Sequence, residues 1–191
     1  WHLAAALFLF ALLTRLNAPR FVRAAAPLLW VLHPLHTEAV AYISGRADMM
    51  SAAFMFAGLW CALWRGAPAR RIAGVVLSGL CFVAALLSKE SALIFPVLLL
   101  LVLWLEPRVR QGPRDTGAGV PHRFAPLFPA LVLVVVYGAL RSSVLKFAEA
   151  AETQAAPLSE RLIETGQAFT FYLRVLFVPT GLHMEQTLAG V

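Results

Sequence analysis

The chain has 191 residues, 60% of them hydrophobic and only 14% charged, with a mean hydropathy of +0.76 and a formal net charge of +6. Soluble domains carry about 25% charged residues, so the composition excludes an ordinary soluble domain and points to an integral membrane protein. It also excludes a nucleic-acid binder, because the basic residues fall at the ends of apolar segments and no aromatic residues interleave with them.

Backbone amides in hydrocarbon must pair internally, so the apolar segments are predicted to be helices, each about 20 residues long if it crosses a bilayer. The first, Trp1–Leu16, is short for a span. The chain starts without Met and with an apolar helix already under way, which reads as a fragment lacking its start. The second runs over Arg20–His36, with Pro34 expected to bend or end it. Gly45 permits a turn, and the third follows over Arg46–Trp64, with Asp48 in its first turn facing the positive end of the helix dipole. The fourth, Arg70–Leu87, and the fifth, Glu90–Leu105, meet at "LLSKESAL" with almost no loop. Ser88 is expected to cap the fifth and Pro96 to kink it. Residues 106–123 are basic and rich in Pro and Gly, and read as a linker loop. The sixth segment is Phe124–Leu140, and a loop covers 142–159. The last helix, Leu158–Val178, carries Glu160, Arg161, Glu164, Gln167 and Arg174; it reads as interfacial or partly buried, with a span as the alternative. Cys61 and Cys81 lie in apolar runs and read as small core residues. The expectation is one all-α domain over 1–191, a polytopic transmembrane bundle of about six spans plus an amphipathic helix.

Charge sets the expected topology. Arg15, Arg20 and Arg23 fall in one loop, Arg65, Arg70 and Arg71 in another, and Arg108, Arg110, Arg114 and Arg123 in a third. These are alternate loops, so they are expected on the cytoplasmic side. The opposite side then receives most of the acids, together with a thin scatter of Arg46, Lys89, Arg141, Lys146 and Arg161. That side faces outward, into the periplasm if the membrane is a bacterial inner membrane.

Two clusters of ionisable residues fall on the outer side. "HPLHTEAVAYISGRAD" places His33, His36, Glu38, Arg46 and Asp48 together. His33 and His36 are either ligands for a divalent metal ion or hydrogen-bonding groups at the membrane boundary, and their spacing matches no standard zinc signature. Arg46 suits a phosphate or carboxylate, or an ion pair with Glu38 or Asp48 that pins the loop. "SKES" holds Lys89 and Glu90 at the outer interface, where ionisable groups are expensive. Lys89 either meets a phosphate or snorkels to the headgroups, and the same choice holds for Arg141. Acids beside cations in an outward cavity fit a phosphate-bearing substrate: Glu38 and Asp48 as catalytic carboxylates, and Arg46, Lys89, Glu90 and Arg141 around the substrate. A permease for a lipid-linked or anionic solute is a competing reading, as is a non-catalytic membrane anchor. The outer position of the clusters counts against the permease, whose site is expected near mid-membrane.

The run "HPLHTEAVAYISGRAD", the later "LLSKESALIFPVLLLL" and "FYLRVLFVPTGL" together resemble the membrane part of the transmembrane-and-TPR-repeat O-mannosyltransferase-like proteins, which belong to the GT-C glycosyltransferases. The resemblance implies a polytopic enzyme that moves a sugar from a polyprenyl-phosphate donor to a protein or glycan acceptor on the non-cytoplasmic side. It implies that Glu38, Arg46 and Asp48 line the outer cavity and that Lys89 and Glu90 flank the donor phosphate. It also implies a key acid in a first outer loop before Trp1, and TPR repeats after the membrane part.

Overall fold

The computed structural model describes residues 1–41, 45–109, 124–144 and 158–178. Its helices are α1 (His2–Arg15), α2 (Arg20–Leu32), α3 (His36–Ala41), α4 (Arg46–Ala62) and α5 (Pro68–Ser88). A 3-10 turn (Glu90–Ile94) then runs into α6 (Phe95–Val109), followed by α7 (Leu127–Val144) and α8 (Leu158–Phe177). No strand occurs among the described residues, and the fold class is all-α.

The prolines explain where several helices begin and end. His33 is extended (φ −69°, ψ 125°), the conformation imposed on a residue that precedes proline. The second helix therefore stops at Leu32 and does not reach His36. Pro68 opens α5, where its missing N–H leaves no bond unmade. Pro96 lies in the first turn of α6 and not well inside a longer helix, because the 3-10 turn up to Ile94 divides the predicted fifth segment just before it.

Helix α4 is the hub. Its Ala52 and Ala53 are buried with Ala5 of α1, and Trp30 and Phe56 pack beside them. Small residues at such a seam let two backbones approach closely. A second face of α4 meets α5 and α6. A Cβ on Gly58 would lie 3.1 Å from the Phe95 ring and 3.2 Å from Cys81 Cβ. A Cβ on Gly74 of α5 would lie 2.6 Å from the Cys61 carbonyl oxygen. The main core joins Leu59 and Leu63 of α4, Phe82 of α5, Phe95, Leu99 and Leu103 of α6, and Ala130 of α7. The Phe82 and Phe95 rings stack with centroids 4.7 Å apart.

The outside of the bundle is apolar as well. Leu7, Phe21, Leu29, Leu80, Leu87, Val97, Phe128 and Val135 all stand exposed, Leu87 by 81%. Water-soluble monomers do not expose so broad an apolar surface. By length and composition α5 alone is long and apolar enough to cross a membrane among the described residues; His2–Arg15 and Leu127–Ser143 are apolar but shorter.

Arginines tie the helices together at one end. Arg15 donates from Nη2 (3.1 Å) and Nε (3.3 Å) to the Leu63 carbonyl, one of the acceptors left over where α4 ends. Arg65 pairs with the buried Glu106 of α6 at 2.7 Å. Arg70 stands 5.8 Å from the Trp64 ring centroid. Arg71 Nε donates to the Gly66 carbonyl at 2.8 Å, and Gly66 itself adopts φ +111°.

Candidate functional site

The opposite end of the bundle gathers the residues singled out in the sequence. Asp48 lies in the first turn of α4. Lys89 is extended (φ −158°, ψ 140°) between α5 and the 3-10 turn, a break that turns its side chain toward α4. Lys89 Nζ and the Asp48 carboxylate form an ion pair, so the two clusters meet in space. Next to it, Glu90 pairs with Arg141 in the last turn of α7. Arg141 also donates to Tyr137 Oη at 3.3 Å. Two ion pairs thus link α4, the α5–α6 junction and α7 on one rim. All four side chains retain access to water, Lys89 and Asp48 at 45% and 38%.

Arg46, at the first position of α4, is exposed and forms no ion pair among the described residues. The expected alternative, an Arg46–Asp48 pair that pins the loop, is not formed; the partner of Asp48 is Lys89. Glu38 belongs to α3, but its side chain lies outside the described residues, as do residues 42–44. Most of the predicted linker (106–123) and of the predicted loop (142–159) also falls outside them. Ser88 does not cap the following helix. Its hydroxyl donates back to the Ala84 carbonyl at 2.8 Å, the bond open to a serine in the last turn of its own helix.

The histidines form an aromatic cluster on the same rim. The His36 ring lies 4.4 Å from Trp30, 5.1 Å from His2 and 6.2 Å from His33, centroid to centroid. Burial, reinforced by the neighbouring His2 and His33, holds the His36 imidazole below its ordinary value. His33 has both ring nitrogens engaged. Nδ1 accepts from the Leu35 N–H at 3.2 Å, and Nε2–H donates to the Leu176 carbonyl at 3.0 Å. His2 Nε2–H donates to the Val31 carbonyl at 3.2 Å. Among the described residues no group of three or more His, Cys, Asp and Glu side chains is placed to hold a metal ion.

Sequence reading missed three residues of this rim. Tyr137 is readable in hindsight, since it stands four positions before Arg141 and so on the same helix face. His2 and Trp30 are not, since nothing in a linear pattern brings them to His36.

No family model and no solved structure matches the chain. Over 70 residues it is 41% identical to a human protein named Protein O-mannosyl-transferase TMTC2, and 40% identical to the mouse protein of that name. The matched stretch is 35% of this chain and only 8% of the length of each relative. The likeness to an O-mannosyltransferase is therefore partial.

Proposed function

We propose that the chain is the membrane part of a glycosyltransferase of the GT-C type. It takes a sugar from a polyprenyl-phosphate-linked donor and passes it to a protein or glycan acceptor on the non-cytoplasmic side. The exposed apolar surface supports burial of the bundle in a bilayer with about six segments crossing it. The arginine-rich end then lies at the cytoplasmic face and the Asp48–Lys89 rim faces outward. The partial likeness to mannosyltransferases supports the reaction class.

The chemistry follows from the charges on the rim. The acceptor hydroxyl attacks C1 of the donor sugar, and a carboxylate, Asp48 or Glu38, takes its proton. The C1–O bond to phosphate breaks, and the polyprenyl phosphate leaves with the electron pair. Lys89 and Arg46 meet the negative charge that grows on the leaving oxygen. Arg141, held by Glu90 and Tyr137, supplies further positive potential at the rim.

The observation that supports this reading most is the Asp48–Lys89 pair, which joins the two clusters most distinctive of the resemblance. The test is transfer of a radiolabelled sugar from a polyprenyl-phosphate donor by the protein in reconstituted membranes. Donor turnover that is lost in Lys89→Ala and Arg46→Ala, with membrane insertion intact, is the expected result. Unchanged transfer in both variants removes the mechanism.

A further inference from the structure

Helix α8 presents its widest apolar stripe to no other part of the protein among the described residues. Leu162, Phe169, Tyr172, Leu173 and Leu176 fall on one side of the helical wheel and are 42% to 69% exposed. The opposite side carries Glu160, Glu164, Gln167 and Arg174, also exposed. A third, narrower face holds the half-buried Ala168 and Phe171 and the buried Val175.

The chain's connections show which way this helix runs. Arg141, near the end of α7, is paired with Glu90 at the Asp48–Lys89 rim. The last turn of α8 is at that rim too, because His33 donates to the Leu176 carbonyl. A spanning α8 would have to start at the arginine-rich end. Residues 145–157 would then have to cross the hydrocarbon first, carrying Lys146, Glu149 and Glu152. Charges at membrane depth are costly there. The alternative needs no such crossing.

We infer that α8 lies in the plane of the outer leaflet at the boundary of headgroups and acyl chains. Its Leu162–Phe169–Leu173–Leu176 stripe is sunk into lipid, and His33 moors its C-terminal end to the rim. The occupant of the open stripe is the bilayer itself. The helix carries Glu160 and Glu164 against Arg161 and Arg174 and so has no net charge; attachment therefore depends on apolar area and not on anionic headgroups. The inference rests on the membrane placement proposed above and is independent of sugar transfer.

The experiment is spin-label depth measurement on the protein in phosphatidylcholine nanodiscs, in a Cys61→Ala/Cys81→Ala background. Single labels are placed through Phe169→Cys, Leu176→Cys, Glu164→Cys and, as a reference in α5, Leu80→Cys. Oxygen and a water-soluble nickel chelate serve as the collision partners. In a spanning α8, Phe169 would lie near the middle of the bilayer and Leu176, seven positions on and about 10 Å along the helix, near its surface. The expected result is equal, shallow depth at 169 and 176, nickel access at 164, and deep burial at 80. Depth at 169 matching that at 80, with 176 about 10 Å shallower, overturns the inference in favour of a span. Nickel access at all three α8 positions overturns it in favour of a helix in water. Nickel access at 80 overturns the membrane placement, and the inference falls with it.

Discussion

Replacing Lys89 with methionine separates structural from chemical worth at the candidate site. The substitution keeps most of the apolar stem and removes the charge. In the folded chain Lys89 and Asp48 are 45% and 38% exposed, so water screens the pair. Pairs of this kind are worth about 0–1 kcal/mol. The abandoned Asp48 carboxylate still faces water and the positive end of α4, so no buried charge is left behind. At about 2–4 °C per kcal/mol for a chain of this size, the melting temperature should fall by no more than about 4 °C. Turnover responds on a different scale. Loss of one positioned group that meets charge developing in the transition state costs about 10²–10³-fold in kcat. The assay is steady-state sugar transfer in nanodiscs, with kcat and KM separated, beside thermal unfolding of the same preparation. Lys89→Arg, which keeps the charge beside Asp48, should keep the melting temperature and retain more turnover than Lys89→Met. Turnover within about threefold of the unsubstituted protein would refute the assignment of Lys89 to the leaving group. So would a melting temperature lowered by more than 10 °C with activity tracking the folded fraction, since the pair would then be structural.

Three further outcomes follow from the packing. Arg65→Met removes one ion of the 2.7 Å pair made with the buried Glu106 carboxylate and should destabilise the bundle by about 3 kcal/mol. Adding Glu106→Leu should return part of that loss in the same denaturation series, because an apolar replacement removes the desolvation cost of the carboxylate. Gly74→Ala sets a methyl carbon 2.6 Å from the Cys61 carbonyl oxygen. The close α4–α5 approach must then open, at about 1–3 kcal/mol, read as a lower melting temperature. The third outcome concerns pH. Because His36 is held below its ordinary value of 6.5 in the fold, the fold favours its neutral form. Its contribution to stability is present above pH 6.5 and is lost as pH falls through the lower, folded-state value. Melting temperatures followed from pH 7.5 to 5 should decline in this range, and His36→Gln should flatten the decline.

The features legible in the sequence are those written in local patterns. Pro34 and the extended residue before it stop α2, and Asp48 falls in the first turn of α4 as its place after Gly45 suggests. The helical extent of α8, Leu158–Phe177, follows from its amphipathic repeat. The meeting of Asp48 with Lys89 follows from two antiparallel helices of similar length whose charged ends face the same way. What stayed hidden depends on contacts between distant segments. The 3-10 turn at Glu90–Ile94 absorbs the strand of residues that periodicity assigns to a fifth helix, and only Ala92 and Phe95 packed into the core account for it. The use of His33 as a tether for α8 joins residues 143 positions apart, and no spacing rule reaches so far.

The same residue types serve different purposes at the two ends of the bundle, and burial separates them. At the arginine-rich end Glu106 is buried and paired, Arg15 donates to the Leu63 carbonyl just past the end of α4, and Arg71 to a loop carbonyl. These charges answer leftover backbone acceptors and one another, which fixes how α4, α5 and α6 sit together. At the other end both ion pairs stay open to water, and Arg46 stands exposed without an ion pair among the described residues. A water-accessible pair exchanges partners at little cost, because each ion is resolvated as the other leaves. In the proposed reaction the donor phosphate therefore has to displace only a weakly held carboxylate to reach Lys89. The proposed transfer accordingly draws on the water-accessible charges of the Asp48–Lys89 rim and not on those that fix the packing at the other end.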